Sequence, residues 1–298
     1  MNHPTESHSQ TQIKLSATDP SNILALATPN ESRGVANVTP RRGWHPRALL
    51  LSHLLAVLIL ASWLTDPLGD YWDAADLRIF RWLNDSLALG HWWQVSWAIA
   101  NWRPFDLVAS AAILLLAFYT IRTTPEERAI RGWISVAAVT LCALAVKGLV
   151  EAFVVRGGLN YLRASPTLAL ADTYRLSELV PWIRAKESSA WCFPSDHGVV
   201  LWVVVLYFAY CGRPAVVAAA TMVAVVFCLP RLVSGGHWFT DIGVGSVVMA
   251  LLTTAWFMAT PLHDAVVDST CWLLSPFLPE RGIPTGASPV AAPNRRVA

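Results

Sequence analysis

From Ala48 onward the chain is built of long apolar runs separated by short polar stretches. A helix that crosses the hydrocarbon core of a bilayer needs about 20 residues. Six runs come near that length, at about 47–65, 104–121, 132–154, 195–211, 214–230 and 241–260. The fourth is short unless Phe193 and Pro194 help to start it. The stretch 195–230 is too long for one helix, and CGRP at 211–214 places a Gly and a Pro where the chain should turn. Between the first two runs, residues 70–93 mix Asp, Arg and aromatics. Leu77, Phe80 and Leu83 fall near helical spacing there and predict an amphipathic helix lying in the interface. A second is predicted around 265–277. Residues 1–45 are polar and rich in Ser, Thr, Asn and Pro, which predicts a disordered tail. The expected fold is all-α: a six-transmembrane helix bundle over 46–262, with interfacial amphipathic helices, a disordered N-terminal tail over 1–45, and a C-terminal interfacial segment and tail over 263–298.

Composition moves the picture further toward a membrane. Hydrophobic residues make up 54% of the chain and charged residues 14%, against roughly 25% charged in soluble domains. Trp concentrates at membrane–water interfaces, so the 15 tryptophans read mostly as a belt. The net charge of +2, with no basic block, gives no reason to expect a nucleic-acid partner. The five cysteines form no CxxC or Cys/His zinc spacing. With six spans, Arg41, Arg42, Arg47, Arg122, Arg128, Arg131, Arg213 and the tail arginines share one side, which is then cytoplasmic. The opposite side carries Arg103, Arg156, Arg163, Arg184, Lys186 and Arg231 among others. Arg103 and Arg184 read as interfacial, and NWRPFD at 101–106 as the polar lip of the second span.

The same parity gathers polar residues at one end of the bundle. The end of span 3, the start of span 4, the end of span 5 and the start of span 6 hold Lys147 to Arg156, Ser195 to His197, Arg231 to His237, and Asp241. Ionisable groups at membrane depth are costly and usually functional. His237 and Asp241 stand four apart. On a helix starting by His237 they share a face, so the carboxylate can hold the imidazole and leave its other nitrogen free. The Arg231 guanidinium can grip two phosphate oxygens. Gly235 and Gly236 let backbone approach a ligand. His197 can protonate a leaving oxygen. Asp196 reads as a cap of the fourth helix, and Ser195 either as a cap or as a phosphate contact.

PSDH at 194–197, followed by R-x5-H-x3-D at Arg231, His237 and Asp241, resembles the type 2 phosphatidic acid phosphatase (PAP2) superfamily. The likeness covers roughly 70–260, and the PSDH form is similar to one found among bacterial undecaprenyl diphosphate phosphatases. Asp196 stands where the family has Gly, and Pro230 where it has Ser. The family's K-x6-RP is matched only by Lys147 and Arg156, with eight residues between them and Gly157 following. Arg163 is the substitute for Arg156.

The resemblance implies an integral-membrane phosphatase of a lipid phosphate or diphosphate: undecaprenyl diphosphate, phosphatidate or a lipid A type. It implies His237 as nucleophile through a phosphohistidine, Asp241 as its orienting group, and His197 as proton donor. Arg231, Lys147, Arg156 and Ser195 would hold the phosphoryl oxygens, with no metal and no cofactor. It also implies a bacterial inner-membrane protein with the site on the periplasmic face, whose partners are the bilayer and the lipid phosphate. Two alternatives stay open. One is a lipid phosphotransferase using the same site. The other is a His-ligated metal or haem protein, with His197, His237, Asp196 and Asp241 as candidate ligands.

Overall fold

A computed structural model describes residues 43–122, 126–152 and 163–277. The predicted N-terminal tail up to residue 42, Arg156 with Gly157 and Gly158, and the C-terminal tail from residue 278 lie outside the described residues. Among those described, the molecule is helical. It has no strand, only one antiparallel bridge between Trp102 and Ala185.

The helices are α1 (Pro46–Leu64), α2 (Leu68–Asp85), α3 (His91–Ala100), α4 (Asp106–Ile121), α5 (Glu126–Glu151), the single turns α6 (Pro166–Ala169) and α7 (Leu176–Leu179), α8 (Asp196–Tyr210), α9 (Pro214–Val233), α10 (Val247–Met258) and α11 (Leu262–Leu274). A wide π-type turn, Asp241–Ser246, leads into α10. Local chemistry sets several of these limits. Pro46 and Pro214 occupy first helical positions, where the missing N–H costs nothing. Gly212 takes a φ of +69° in the turn between α8 and α9. Ser195 caps α8 by accepting the Gly198 N–H at 3.4 Å.

Among the described residues, five helices are long and apolar enough to cross a membrane: Pro46–Leu64, Arg103–Ile121, Ala129–Glu151, Pro214–Val233 and Asp241–Met258. The run expected at 195–211 as a short fourth span is the 15-residue α8, below the about 17–25 residues of a usual span, so length alone supports five spans rather than six. This helix packs against α5, α9 and α10 at the centre of the bundle. Val199, Val203, Val204, Tyr207 and Phe208 on it are buried. By contrast α1 turns Leu50, Leu51, Leu54 and Leu58 outward, and α4 does the same with Leu107, Leu114, Leu115 and Phe118. Apolar faces of that extent suit lipid rather than water. The protein is multi-pass.

The amphipathic helix expected over 70–93 is corrected in its extent and in part of its inward face. The chain forms α2, a short 3-10 turn and α3 there. The buried stripe of α2 is Asp76, Phe80 and Asn84, while Leu77 is exposed. A polar residue wins the inward face because it has work to do there. The Asn84 amide donates to the carbonyls of Tyr174 and Val233, both at 3.0 Å, and its oxygen accepts the Tyr174 N–H at 2.8 Å. Those bonds tie α2 to the segment 163–192 and to the end of α9. α11, near the second expected interfacial helix, buries His263, which meets Ser135 of α5 at 2.7 Å.

Candidate active site

Two polar clusters meet at one end of the bundle, where α8 starts, α9 ends and the π-type turn begins. The segment 231–237 folds back on itself. The N–H groups of Gly236 and His237 both reach the Arg231 carbonyl, at 3.0 and 3.2 Å. Gly235 makes this possible with a φ of +73°, and a Cβ there would lie 2.7 Å from Thr167 and 2.8 Å from Phe80. The expected close approach of Gly235 to a ligand is therefore an approach to protein. The Ser195 N–H donates to the Asp241 carbonyl at 3.2 Å, and Ser246 Oγ bridges the carbonyls of Ser195 and Asp241 at 2.9 and 3.0 Å. Gly198 leaves room for that hydroxyl; a Cβ would collide with it. Residues 195–197 and 231–241, far apart in the chain, are thus stitched together.

The inner cluster is built around Asp241, whose side chain is fully buried. Its Oδ1 accepts from Arg163 Nη1 at 2.7 Å and its Oδ2 from the Trp238 N–H at 2.8 Å. Arg163 also donates to Thr240 Oγ1 and to Asp76 Oδ2, each at 2.6 Å. Asp76 in turn takes the Thr240 N–H at 2.8 Å and the Thr240 hydroxyl at 2.6 Å. The guanidinium lies between the rings of Trp63 and Trp238, at 5.6 and 5.5 Å from their centroids. Burial opposes the charge on Arg163, but the Asp241 and Asp76 carboxylates outweigh it and hold the group above its ordinary value. Burial pushes the Asp76 carboxyl above its usual range, against the opposing pull of Thr240 and Arg163.

His237 stands beside this cluster, 5% exposed. Its Nδ1 lies 2.8 Å from the Cys192 carbonyl and 3.4 Å from Asp241 Oδ2. This corrects the expected geometry. Helix begins at Phe239, so His237 sits in the turn before it rather than on one helical face with Asp241. The closest partner of the ring is a carbonyl, with the carboxylate alongside. A carbonyl can only accept, so Nδ1 carries the hydrogen and Nε2 keeps the lone pair.

The outer cluster is built around Arg231, 2% exposed. Its Nη1 faces the carbonyl and the side-chain oxygen of Asn101 at 3.5 and 3.4 Å. Its Nη2 donates to Asp106 Oδ1 at 2.9 Å and lies 3.2 Å from His197 Nε2. That imidazole nitrogen is itself 3.0 Å from the same Asp106 oxygen. His197 Nδ1 is buried without a hydrogen-bond partner. Asn101 is a saddle for this cluster: its amide donates to the carbonyls of Trp97 and Pro230 at 3.1 and 2.8 Å while its oxygen faces Arg231 and Ser234.

The remaining expected residues fall as follows. Lys147 binds Glu151 and, at 2.6 Å, Asp196 Oδ1. Asp196 therefore does not cap α8. That role belongs to Ser195, while Lys147, one turn before the end of α5, claims the Asp196 carboxylate. Ser195 is fully buried, with its hydroxyl directed into the cap. Arg156 lies outside the described residues; Arg163 is the cation joined to Asp241. The sequence reading missed Asp76, Asn101 and Asp106. Asp76 and Asn84 share a stripe of α2 with Phe80, and a polar pair at that spacing was the available signal. Asn101 and Asp106 bound the NWRPFD segment, read only as a lip.

The metal reading meets different residues from those expected. Cys192, His237 and Asp241 bring possible ligand atoms within 4.8 Å of one another. Burial, and then the nearby Asp241 carboxylate, push the Cys192 thiol well above its ordinary value, so it stays protonated. Both Asp241 oxygens are engaged and a guanidinium occupies the carboxylate. That donor set does not suit a cation.

Beside the inner cluster a cavity of about 430 Å³ runs between α1, α5 and the π-type turn. Leu60, Leu64, Trp63, Phe193, Val248 and Met249 line it, with Lys147 and Arg163 as its cations.

Comparison with known proteins identifies the family. The model of the PAP2 superfamily matches residues 167–263, which contain His197, His237, Arg231 and Asp241. Lipid A 1-diphosphate synthase of Escherichia coli (strain K12) is 32% identical over 224 residues, covering 74% of this chain and 90% of that protein. No solved structure matches. The chain belongs to the PAP2 superfamily, on its membrane lipid phosphatase branch, and is an enzyme acting on lipid phosphates.

Proposed function

We propose that the protein cleaves a lipid phosphate or diphosphate through a phosphohistidine on His237. One observation carries the reading: Arg231 Nη2 and His197 Nε2 flank a single anionic oxygen, at 2.9 and 3.0 Å. The Asp106 carboxylate marks the place of an anion between a fixed cation and a proton carrier. A phosphoryl group entering there displaces it and meets His237 from the inner side.

In the first step His237 Nε2 attacks phosphorus, the bond to the leaving oxygen breaks, and His197 gives that oxygen a proton. In the second, His197 takes a proton from the acceptor, whose oxygen attacks phosphorus and frees His237. Asp241, steadied by Arg163, supports the imidazolium formed between the steps. Arg231, Lys147, Arg156 and Ser195 are the proposed phosphoryl contacts. Lys147 first has to exchange Asp196 for the substrate. Positive side chains supply the field that stabilises the transferring group. The apolar cavity suits the lipid tail, with its cations toward the headgroup. In this proposal α8 completes a six-helix transmembrane domain, and the site opens on the periplasmic face.

Water as acceptor makes the enzyme a phosphatase. A second reading, transfer to another lipid phosphate, is favoured by one observation: the E. coli relative is named for making lipid A 1-diphosphate.

Purified protein assayed with a panel of lipid phosphates tests both readings. Free phosphate should appear with at least one of them, or move to added acceptor lipid in a transferase. Orthovanadate should inhibit and EDTA should not. Inhibition by EDTA alone would replace the phosphohistidine route with a metal route.

A further inference from the structure

A second basic site lies next to the outer cluster. A cavity of about 510 Å³ is lined by Trp102, Arg103, Arg184, Ala185 and Lys186. Its three cations are exposed, and among the described residues no carboxylate forms an ion pair with any of them. Surface cations on a membrane protein often anchor it to headgroups, but these three face one concavity, and no acidic residue lines it. A concavity lined by a single sign of charge focuses field and gathers counter-ions.

The cavity is also fixed to the site. Its two walls, the segments around residues 102 and 185, are joined by the Trp102–Ala185 bridge and by the Lys186 N–H donating to the Asn101 carbonyl at 3.1 Å. Asn101 is the residue that faces Arg231, at 3.4 Å. Ser234 Oγ reaches the Lys186 carbonyl at 3.4 Å and Asn101 Oδ1 at 3.2 Å. Arg103 follows Asn101 by two residues, a step of at most about 7 Å of backbone. An anion held here would lie a short headgroup's length from the proposed phosphoryl position.

We propose that the Arg103, Arg184 and Lys186 cavity holds a second phosphate of the substrate headgroup, so that the enzyme selects lipids carrying more than one phosphate. This rests on the proposed function, which supplies the first phosphate position. Guanidinium groups suit this ligand because they pair with phosphate oxygens through two parallel N–H bonds.

The test compares the full-length wild type with an R103A/R184A/K186A variant in lipid vesicles. All three side chains are exposed, so the variant keeps its core; the single variant Arg184→Gln repeats the test with less change. KM for a prenyl diphosphate should rise at least ~10-fold in the triple variant. KM for a prenyl monophosphate of the same chain length, and kcat for both, should stay within about twofold of wild type. Equal rises for both substrates would mean general attraction of anions and overturn the proposal, as would no change for either. Raising the phosphatidylglycerol content of the vesicles separates the sources. If that lipid alone erases the wild-type preference for diphosphate, the cavity serves a neighbouring headgroup and the proposal falls. Calorimetric titration with inorganic diphosphate stands apart from turnover. Binding that is weakened about 10-fold in the triple variant supports the cavity even if no lipid is turned over, and unaltered binding overturns it. Absence of turnover in the wild type with every lipid would count against the proposed function instead.

Discussion

The two clusters use the same kinds of side chain in opposite ways. In the inner one, every carboxylate oxygen of Asp76 and Asp241 has a donor within 2.8 Å, and the two side chains are 3% and 0% exposed. In the outer one, a single oxygen of Asp106 serves both Arg231 and His197, the contacts of Arg231 with Asn101 are long, and the Asp106 side chain is 38% exposed. A buried charge is tolerated only when fully partnered, so the inner cluster behaves as a frame. Asp106 is the open half of its pair and can turn to water, whereas buried Arg231 needs an anion beside it, so the outer cluster can exchange its carboxylate for a substrate anion but not lose it unreplaced. Rigidity sits behind the proposed nucleophile and exchangeability in front of it.

The largest test of that division is His237→Ala. Its Nδ1 is held by a carbonyl, so the ring can be lost without stranding a buried charge. Activity should fall on the order of 10⁴-fold or more, as for other covalent nucleophiles, with the thermal midpoint in detergent nearly unchanged. Turnover close to wild type would remove His237 as nucleophile. A collapse of the fold would place it in the frame.

Asp76 comes next, and here stability should move first. Asp76→Ala leaves the Thr240 N–H, the Thr240 hydroxyl and one arm of Arg163 without an acceptor. Losing one partner of a buried ion pair costs about 3–5 kcal/mol, so the melting temperature should drop sharply. Asp76→Asn keeps one acceptor oxygen and should lose less. A variant that melts like wild type yet has no activity would show that Asp76 serves chemistry, and the frame idea would fail.

The apolar runs made most of the bundle legible, because the length needed to cross a bilayer is a strong constraint that needs no tertiary information. The constraint is weakest for α8, the run already marked as short: it is 15 residues long and is packed among α5, α9 and α10, which take the place of lipid around it. Hydrophobic spacing served α2 in part: Phe80 is buried and Leu83 packs partly buried against the core, while Leu77 is exposed and Asp76 and Asn84 fill the rest of the inward stripe. The paired motifs exposed His197, Arg231, His237 and Asp241, since their spacing is distinctive. Asp106 and Asn101 have no such spacing. Each is an ordinary polar residue next to a Trp or Phe at a helix end, and only the approach of α4 to the end of α9 shows what they hold. Arg163 entered only as a substitute for Arg156, because nothing in sequence couples it to a carboxylate 78 positions away.

Asp106→Asn is the finest probe of the outer cluster and should have the smallest effect. The substitution keeps an oxygen that can accept from Arg231 but removes the charge that competes with an incoming phosphoryl group. Two unit charges 4 Å apart interact by about 4 kcal/mol at an effective dielectric of 20. The partial exposure of Asp106 reduces that, and the weaker bond left on Arg231 offsets part of the gain. Orthovanadate should therefore bind roughly 10-fold more tightly, about 1.4 kcal/mol, while kcat changes less than about threefold. The opposite pattern, a large fall in kcat with vanadate affinity unchanged, would make Asp106 a positioning residue for His197. The outer cluster would then be as fixed as the inner one, and the contrast between frame and exchangeable front would not hold.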